Sequence, residues 1–254
     1  MPVPAGEGRI MSKINARDRL IVALDVPSAE EAESLLDRVG ASVSFVKIGL
    51  ELYTVAGPEI IKRVTERGKR IFLDLKFLDI EETVRRATAR VAHMGVDFLT
   101  VHANRKALRA AVEGRATATG NQSRLKLLAV TVLTNFDAGD LRDMGIQWNV
   151  ADLVAARAQL AAEVGFDGVV ASGEEPSVIR KKVGQDFCIV TPGIRPTKQG
   201  SDEHARVSTP TAAITSGADY LVVGRPIRDA TDPRDAAERI ISEMQKAFNV
   251  REAE

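Results

Sequence analysis

Between positions 74 and 79 the chain reads Asp74-Leu75-Lys76-Phe77-Leu78-Asp79, two carboxylates and an ammonium within one short stretch. Residues two apart on an extended strand project to the same side, so Asp74 and Lys76 would face one cleft. A lysine beside a carboxylate at the base of a cleft is the pairing that proton transfer uses. Lys47 closes the preceding β-branched run and can reach Asp74. The result is an alternating Lys-Asp-Lys chain in which each charge has an opposite neighbour. Asp25 stands at the end of the run before that. Asp79 has two readings. With Glu82 three residues on it forms a capping-box pattern that would start a helix, and the same carboxylate could also reach a ligand.

A second group of residues suits an anion. Thr191-Pro192-Gly193-Ile194-Arg195 and Gly224-Arg225-Pro226-Ile227 each join a glycine to an arginine just beyond an apolar run. Glycine lets backbone amides approach a phosphate closely, and arginine adds charge-assisted hydrogen bonds. Ordinary turn glycines with solvated arginines are the competing reading. From Pro192 to Ser208 runs a stretch rich in Gly, Pro, Lys and polar residues. Loops of that length in a compact domain usually carry function, and this one is expected to act as a lid.

These residues need a frame that brings strand ends together. Eight short apolar runs rich in β-branched residues alternate with helical patterns: Leu20–Leu24, Val43–Ile48, Ile71–Leu75, Val96–Val101, Leu125–Leu133, Gly168–Ala171, Phe187–Val190 and Tyr220–Val223. Ala32, Leu35, Leu36 and Val39 share one helical face, as do Ile80, Val84, Ala87 and Val91. Gly40, Gly68, Gly95, Gly165 and Gly217 each fall between a helical pattern and the next strand, and three of them begin a Gly-x-Asp turn. The spacings from Gly40 to Gly68 and from Gly68 to Gly95, 28 and 27 residues, match one βα unit. Eight such units predict a single-domain (β/α)8 barrel of the α/β class, spanning residues 18–250, with chemistry at the C-terminal ends of its strands. An open doubly wound sheet would instead want a glycine-rich dinucleotide turn after the first strand, where Asp25-Val26-Pro27-Ser28 stands.

The 254 residues carry 35 basic and 35 acidic side chains, so no global field recruits nucleic acid or an anionic membrane. No apolar run approaches the length of a membrane span, and residues 1–17 read as a flexible extension without a signal pattern. The single Cys188 suits a reducing cytoplasm and is expected in the core. His93 reads as a surface residue. His102 ends a strand and can line the mouth, but with no partner in the sequence it does not read as a metal ligand. The three histidines are too scattered for a metal triad, and no P-loop or Gly-x-Gly-x-x-Gly turn occurs, so no metal or nucleotide cofactor is expected.

Taken together the motifs resemble the orotidine 5′-monophosphate decarboxylase family over about residues 19–244. The matching pieces are Ala-Leu-Asp at 23–25, Val-Lys-Ile-Gly at 46–49, Asp-Leu-Lys-Phe-Leu-Asp-Ile at 74–80 and Val-His-Ala at 101–103. Ala-Val-Thr-Val-Leu-Thr at 129–134, Thr-Pro-Gly-Ile-Arg-Pro at 191–196 and Val-Val-Gly-Arg-Pro-Ile at 222–227 follow in family order. The resemblance implies decarboxylation of that nucleotide to UMP, without a cofactor, by a cytoplasmic homodimer. It implies that Asp25 and Lys47 hold the ribose and that Lys47, Asp74, Lys76 and Asp79 form the charged array, Lys76 being the proton donor. Asp79, with Ile80 and Thr83 beside it, would serve the partner's site. Thr134 would lie against the pyrimidine, and Arg195, Gly224 and Arg225 would bind the phosphate.

Three departures stand out. Glu81-Glu82 occupy the turn where the family usually has Pro and often Asn, and Asn104-Arg105 replace a Gly pair. His204 stands where the family has a phosphate-gripping Gln, nine residues after Arg195 and 21 before Arg225, which implies pH-dependent phosphate binding. Magnesium-dependent relatives, the keto-gulonate phosphate decarboxylases and hexulose phosphate synthases, share the Asp-x-Lys-x-x-Asp pattern. A non-catalytic sensor of phosphoribosyl ligands on the same barrel is a third reading.

Overall fold

The computed structural model describes residues 14–119, 123–196 and 208–253. Eight parallel strands close into one barrel in sequence order, each hydrogen-bonded to the next and β8 to β1. They are β1 Leu20–Ala23, β2 Phe45–Gly49, β3 Arg70–Phe77, β4 Phe98–His102, β5 Lys126–Val130, β6 Gly168–Val170, β7 Cys188–Thr191 and β8 Tyr220–Val223. Around them lie α1 Ala29–Val39, α2 Leu50–Ala56, α3 Glu59–Glu66, α4 Glu81–His93, α5 Arg105–Thr119, α6 Ala138–Asp143, α7 Val150–Glu163, α8 Pro176–Val183, α9 Pro210–Thr215, α10 Arg225–Arg228 and α11 Pro233–Arg251. The (β/α)8 architecture expected from the alternating periods is therefore present. Among the described residues no helix is long and apolar enough to cross a membrane.

The predicted helix-to-strand glycines, Gly40, Gly68, Gly95, Gly165 and Gly217, all have positive φ, between 54° and 113°. A side chain there would strain the turn that sends the chain back into the barrel. The three Gly-x-Asp turns then do one further job in common. Asp97 accepts from the backbone N–H of Ile71, Asp167 from Leu127 and Asp219 from Ile189. Each aspartate thus ties the start of its own strand to the start of the preceding one. Each is also paired with arginine: Arg70 and Arg124 on Asp97, Arg115 on Asp167, Arg180 and Arg251 on Asp219.

Two expectations at the edges of elements change. Of the N-terminal extension, Met1–Lys13 lie outside the described residues, while Ile14–Arg17 pack on α11. Ala16 is fully buried, its N–H donates to Gln245, and Arg17 pairs with Glu238. Asp79 does not cap a helix. The N-cap of α4 is Ile80 (φ −60°, ψ 150°), and Asp79 Oδ1 accepts from the neighbouring Ile80 N–H, at 2.6 Å. The capping box fails at its other end as well, because Glu82 is held by Arg85 and Arg86 one turn ahead, which draws its carboxyl down to about 2. Ile80 accordingly leaves the apolar face on which Val84 and Val91 are buried, and is 73% exposed.

Candidate active site

The phase of the strands decides what faces the interior. The rings of Phe45, Phe98 and Tyr220 come from β2, β4 and β8, which are not neighbours, yet their centroids lie 5.0 to 6.1 Å apart. Only the inside of the barrel permits such contacts. Ala23 and Phe72 belong to the same inner cluster. Two residues further along each strand, on the same side, come Asp25, Lys47, Asp74 and Thr100. Alternation therefore lifts four polar side chains onto an aromatic floor at the C-terminal mouth of β1–β4.

Their geometry is tight. Lys76 Nζ donates to both oxygens of Asp74 at 2.9 Å, and Thr100 Oγ1 donates to Asp74 Oδ1 at 2.9 Å. Lys47 Nζ lies 3.8 Å from Asp74 and donates to Asp25 Oδ1 at 2.7 Å. Burial alone would raise the Asp74 carboxyl, but the ammonium groups of Lys47 and Lys76, with the hydrogen bonds from Lys76 and Thr100, hold it below the ordinary carboxylate range. His102, two residues beyond Thr100, is pushed below the usual histidine value by burial first and then by the positive charges of Lys76 and Arg157.

Asp25, Lys47, Asp74 and Lys76 open onto a cavity of about 430 Å³. Thr134, Gly193, Arg195, Gly224 and Arg225 line it from the loops after β5, β7 and β8. Phe72, Val130, Val170 and Val222 supply apolar walls. Five cationic side chains and two carboxylates line this space, and with Arg228 paired to Asp229 an excess of cationic groups still remains to suit an anion. Asp79, Ile80 and Thr83 are not among its lining residues and are exposed on the outer side of the β3–α4 turn. His204 and most of the expected lid lie outside the described residues. The two ends of that loop meet, with Arg195 N–H donating to Ser208 O at 3.0 Å. No group of three His, Cys, Asp or Glu suited to a metal occurs among the described residues.

Residues 18–240 match the sequence profile of the orotidine 5′-phosphate decarboxylase / HUMPS family. The chain belongs to this family. Its relatives include an orotidine 5′-phosphate decarboxylase of Methylobacterium sp. (strain 4-46), 49% identical over 92% of this chain and 98% of that protein. A second, from Nitrobacter winogradskyi, is 50% identical over 92% of this chain and 95% of that protein. Among solved structures, orotidine 5′-phosphate decarboxylase from Lactobacillus acidophilus superposes with a TM-score of 0.79 at 38% identity, covering 89% of this chain and 98% of that one.

Two residues of the site escaped the reading of motifs. Thr100 is fully buried and bonded to Asp74; its signal was a lone hydroxyl in phase with Phe98 in an otherwise apolar stretch of β4. Arg228 lines the cavity and donates to the Asp25 carbonyl at 2.6 Å, joining the β8 loop to the β1 loop. Its signal, a second arginine one helical step past Arg225, carries little information alone.

Proposed function

We propose that this protein decarboxylates orotidine 5′-phosphate to UMP and carbon dioxide in pyrimidine biosynthesis, in the cytoplasm and without cofactor or metal. The observation that carries the reading is the Lys47–Asp74–Lys76 array at the floor of a cavity with an arginine-rich rim. Membership of the family and orotidine 5′-phosphate decarboxylases at about half identity support that choice of substrate. Arg195 and Arg225, with Gly193 and Gly224 leaving room for backbone approach, would take the phosphate. Asp25 and Lys47 would take the ribose hydroxyls, and Thr134 the pyrimidine edge. The C6–carboxylate bond breaks beside Asp74, and its electron pair stays on C6. The Lys76 ammonium stabilises that carbanion and then gives it a proton, regaining one from water afterwards.

The exposed β3–α4 turn belongs to the same proposal. Leu78 and Ile80 are 59% and 73% exposed, an apolar pair flanking a carboxylate that its own cavity does not use. A homodimer in which Asp79 and Thr83 enter the partner's cavity would account for both features.

The test follows the loss of ultraviolet absorbance when folded protein meets orotidine 5′-phosphate in the presence of EDTA. Turnover unaffected by EDTA is expected. No turnover sinks the reading, and turnover that needs added magnesium favours a sugar-phosphate relative. Mixing inactive Lys76→Ala and Asp79→Ala chains should restore up to about a quarter of the wild-type rate, since a mixed dimer carries one intact site.

A further inference from the structure

Lys76 has φ +51°, making it the only non-glycine among the described residues with a positive value. For a long side chain that region is unfavourable and needs outside support. It coincides with a break in the sheet. Leu73 pairs with Leu99 and Phe77 with Val101, so β3 takes four steps where β4 takes two. Strand phase alone therefore does not aim Lys76. Something must hold the bulged segment so that Nζ returns to Asp74.

Thr100 lies within this irregular stretch of the β3–β4 ladder and makes two contacts that bear on it. Its Oγ1 accepts from Lys76 N–H at 2.9 Å and donates to Asp74 Oδ1 at 2.9 Å. A hydroxyl has one proton, so donation to Asp74 orients the lone pairs that receive the Lys76 amide. Thr100 is fully buried, its χ1 is restricted by β-branching, and its backbone is anchored in β4 opposite Leu128. Backbone and side chain of Lys76 are thus both referenced to Asp74, one through Thr100 and one directly. We propose that Thr100 is a positioning residue: its hydroxyl holds Lys76 in the left-handed conformation that sets the ammonium on Asp74. This rests on the decarboxylase reading for its kinetic consequence, but not for its structural one.

A threonine that merely fills space would be replaceable by valine, which has the same shape without the hydroxyl. Wild type, Thr100→Val and Thr100→Ser are therefore compared by kcat, KM and melting temperature, and by a crystal structure of Thr100→Val. Loss of the clamp misplaces the reacting ammonium, so kcat for Thr100→Val should fall about 100-fold. KM should stay within about threefold, since the phosphate and ribose contacts are untouched. Thr100→Ser keeps the hydroxyl and should remain within about fivefold of wild type in kcat. In the crystal Lys76 should leave positive φ. A folded Thr100→Val with wild-type kcat, or one in which Lys76 keeps its conformation and its contact with Asp74, overturns the proposal. If Thr100→Val does not fold, Thr100→Ala removes the same hydroxyl and carries the same expectations. Should wild type itself fail to turn over substrate, the decarboxylase reading falls, and the crystal structure alone decides the role of Thr100.

Discussion

Gly49 offers a test of how closely the array is packed. It follows Lys47 by two residues on β2 and pairs in register with Asp74, so its missing side chain would point where Lys47 points. A Cβ built there would lie 2.9 Å from Lys47 Nζ and 3.1 Å from Asp25 Oδ1. The first contact is shorter than real Cβ atoms show and the second is tight, and the atoms in the way are the bonded ends of the Lys47–Asp25 pair. Gly49→Ala must then lengthen their 2.7 Å bond or draw Lys47 from Asp74. Loss of one charge-assisted hydrogen bond is about 1.5–3 kcal/mol, which corresponds to about 10- to 150-fold in kcat/KM. The fold should not suffer. Gly49 has φ −96° and ψ −174°, open to any residue. The reduced entropy of the unfolded chain, worth about 0.4–1 kcal/mol, offsets the slightly poorer N-cap that alanine gives α2. Initial rates with orotidine 5′-phosphate, read beside a thermal melt, make the measurement. A kcat/KM within threefold of wild type would refute the reasoning, and so would a loss of activity that merely follows a loss of folded protein.

His102 should report on Lys76. Burial and the Lys76 and Arg157 charges depress its pKa while Asp74 opposes them, so Lys76→Met should raise it, a shift read by proton NMR titration of the imidazole; no change, or a fall, contradicts the arrangement. Because the folded value lies below the unfolded one, the folded state binds fewer protons between the two, and stability there declines as pH falls. Lys76→Met should narrow that window. At the other end of the barrel, Asp219→Ala leaves Arg180, whose side chain is 8% exposed, without the carboxylate it meets at 2.5 Å. A cost of about 3 kcal/mol, or about 6–12 °C in melting temperature, should come with unchanged kcat; an equal loss of kcat at a temperature where the variant is folded would show that the two ends are coupled.

What could be read from the sequence followed from periodicity. A helix-to-strand turn demands glycine wherever it recurs, so Gly40, Gly68, Gly95, Gly165 and Gly217 marked the units before any contact was known. Strand ends were legible for the same reason, and they located Asp25, Lys47, Asp74, Arg195 and Gly224. What periodicity could not reach were places where the backbone departs from it. The Asp74–Lys76 juxtaposition was expected from simple pleating, but the β3 ladder breaks there and Lys76 arrives with φ +51°. Thr100, which supports that break, looks like an ordinary strand residue until register is known. Asp79 and Glu82 had the spacing of a capping box, yet Arg85 and Arg86 compete for the glutamate and the helix begins later.

The barrel also divides its charges in a way that bears on catalysis. Asp25, Lys47, Asp74 and Lys76 are mutually compensated, so this cluster alone offers little net attraction to an anion. A substrate carboxylate seated at Lys76 would meet Asp74, which its neighbours keep ionised. Attraction must therefore come from elsewhere, and the cavity supplies it in Arg195 and Arg225 beyond β7 and β8, Arg228 being itself paired with Asp229. With the proposed substrate, binding at the phosphate would hold the carboxylate against Asp74, and departure of carbon dioxide would relieve that opposition while Lys76 gains a carbanion to protonate. On the proposed reading, binding strength and bond cleavage would then be carried by opposite sides of one cavity. Such a division turns contacts remote from the reacting carbon into a lower barrier rather than only a tighter complex.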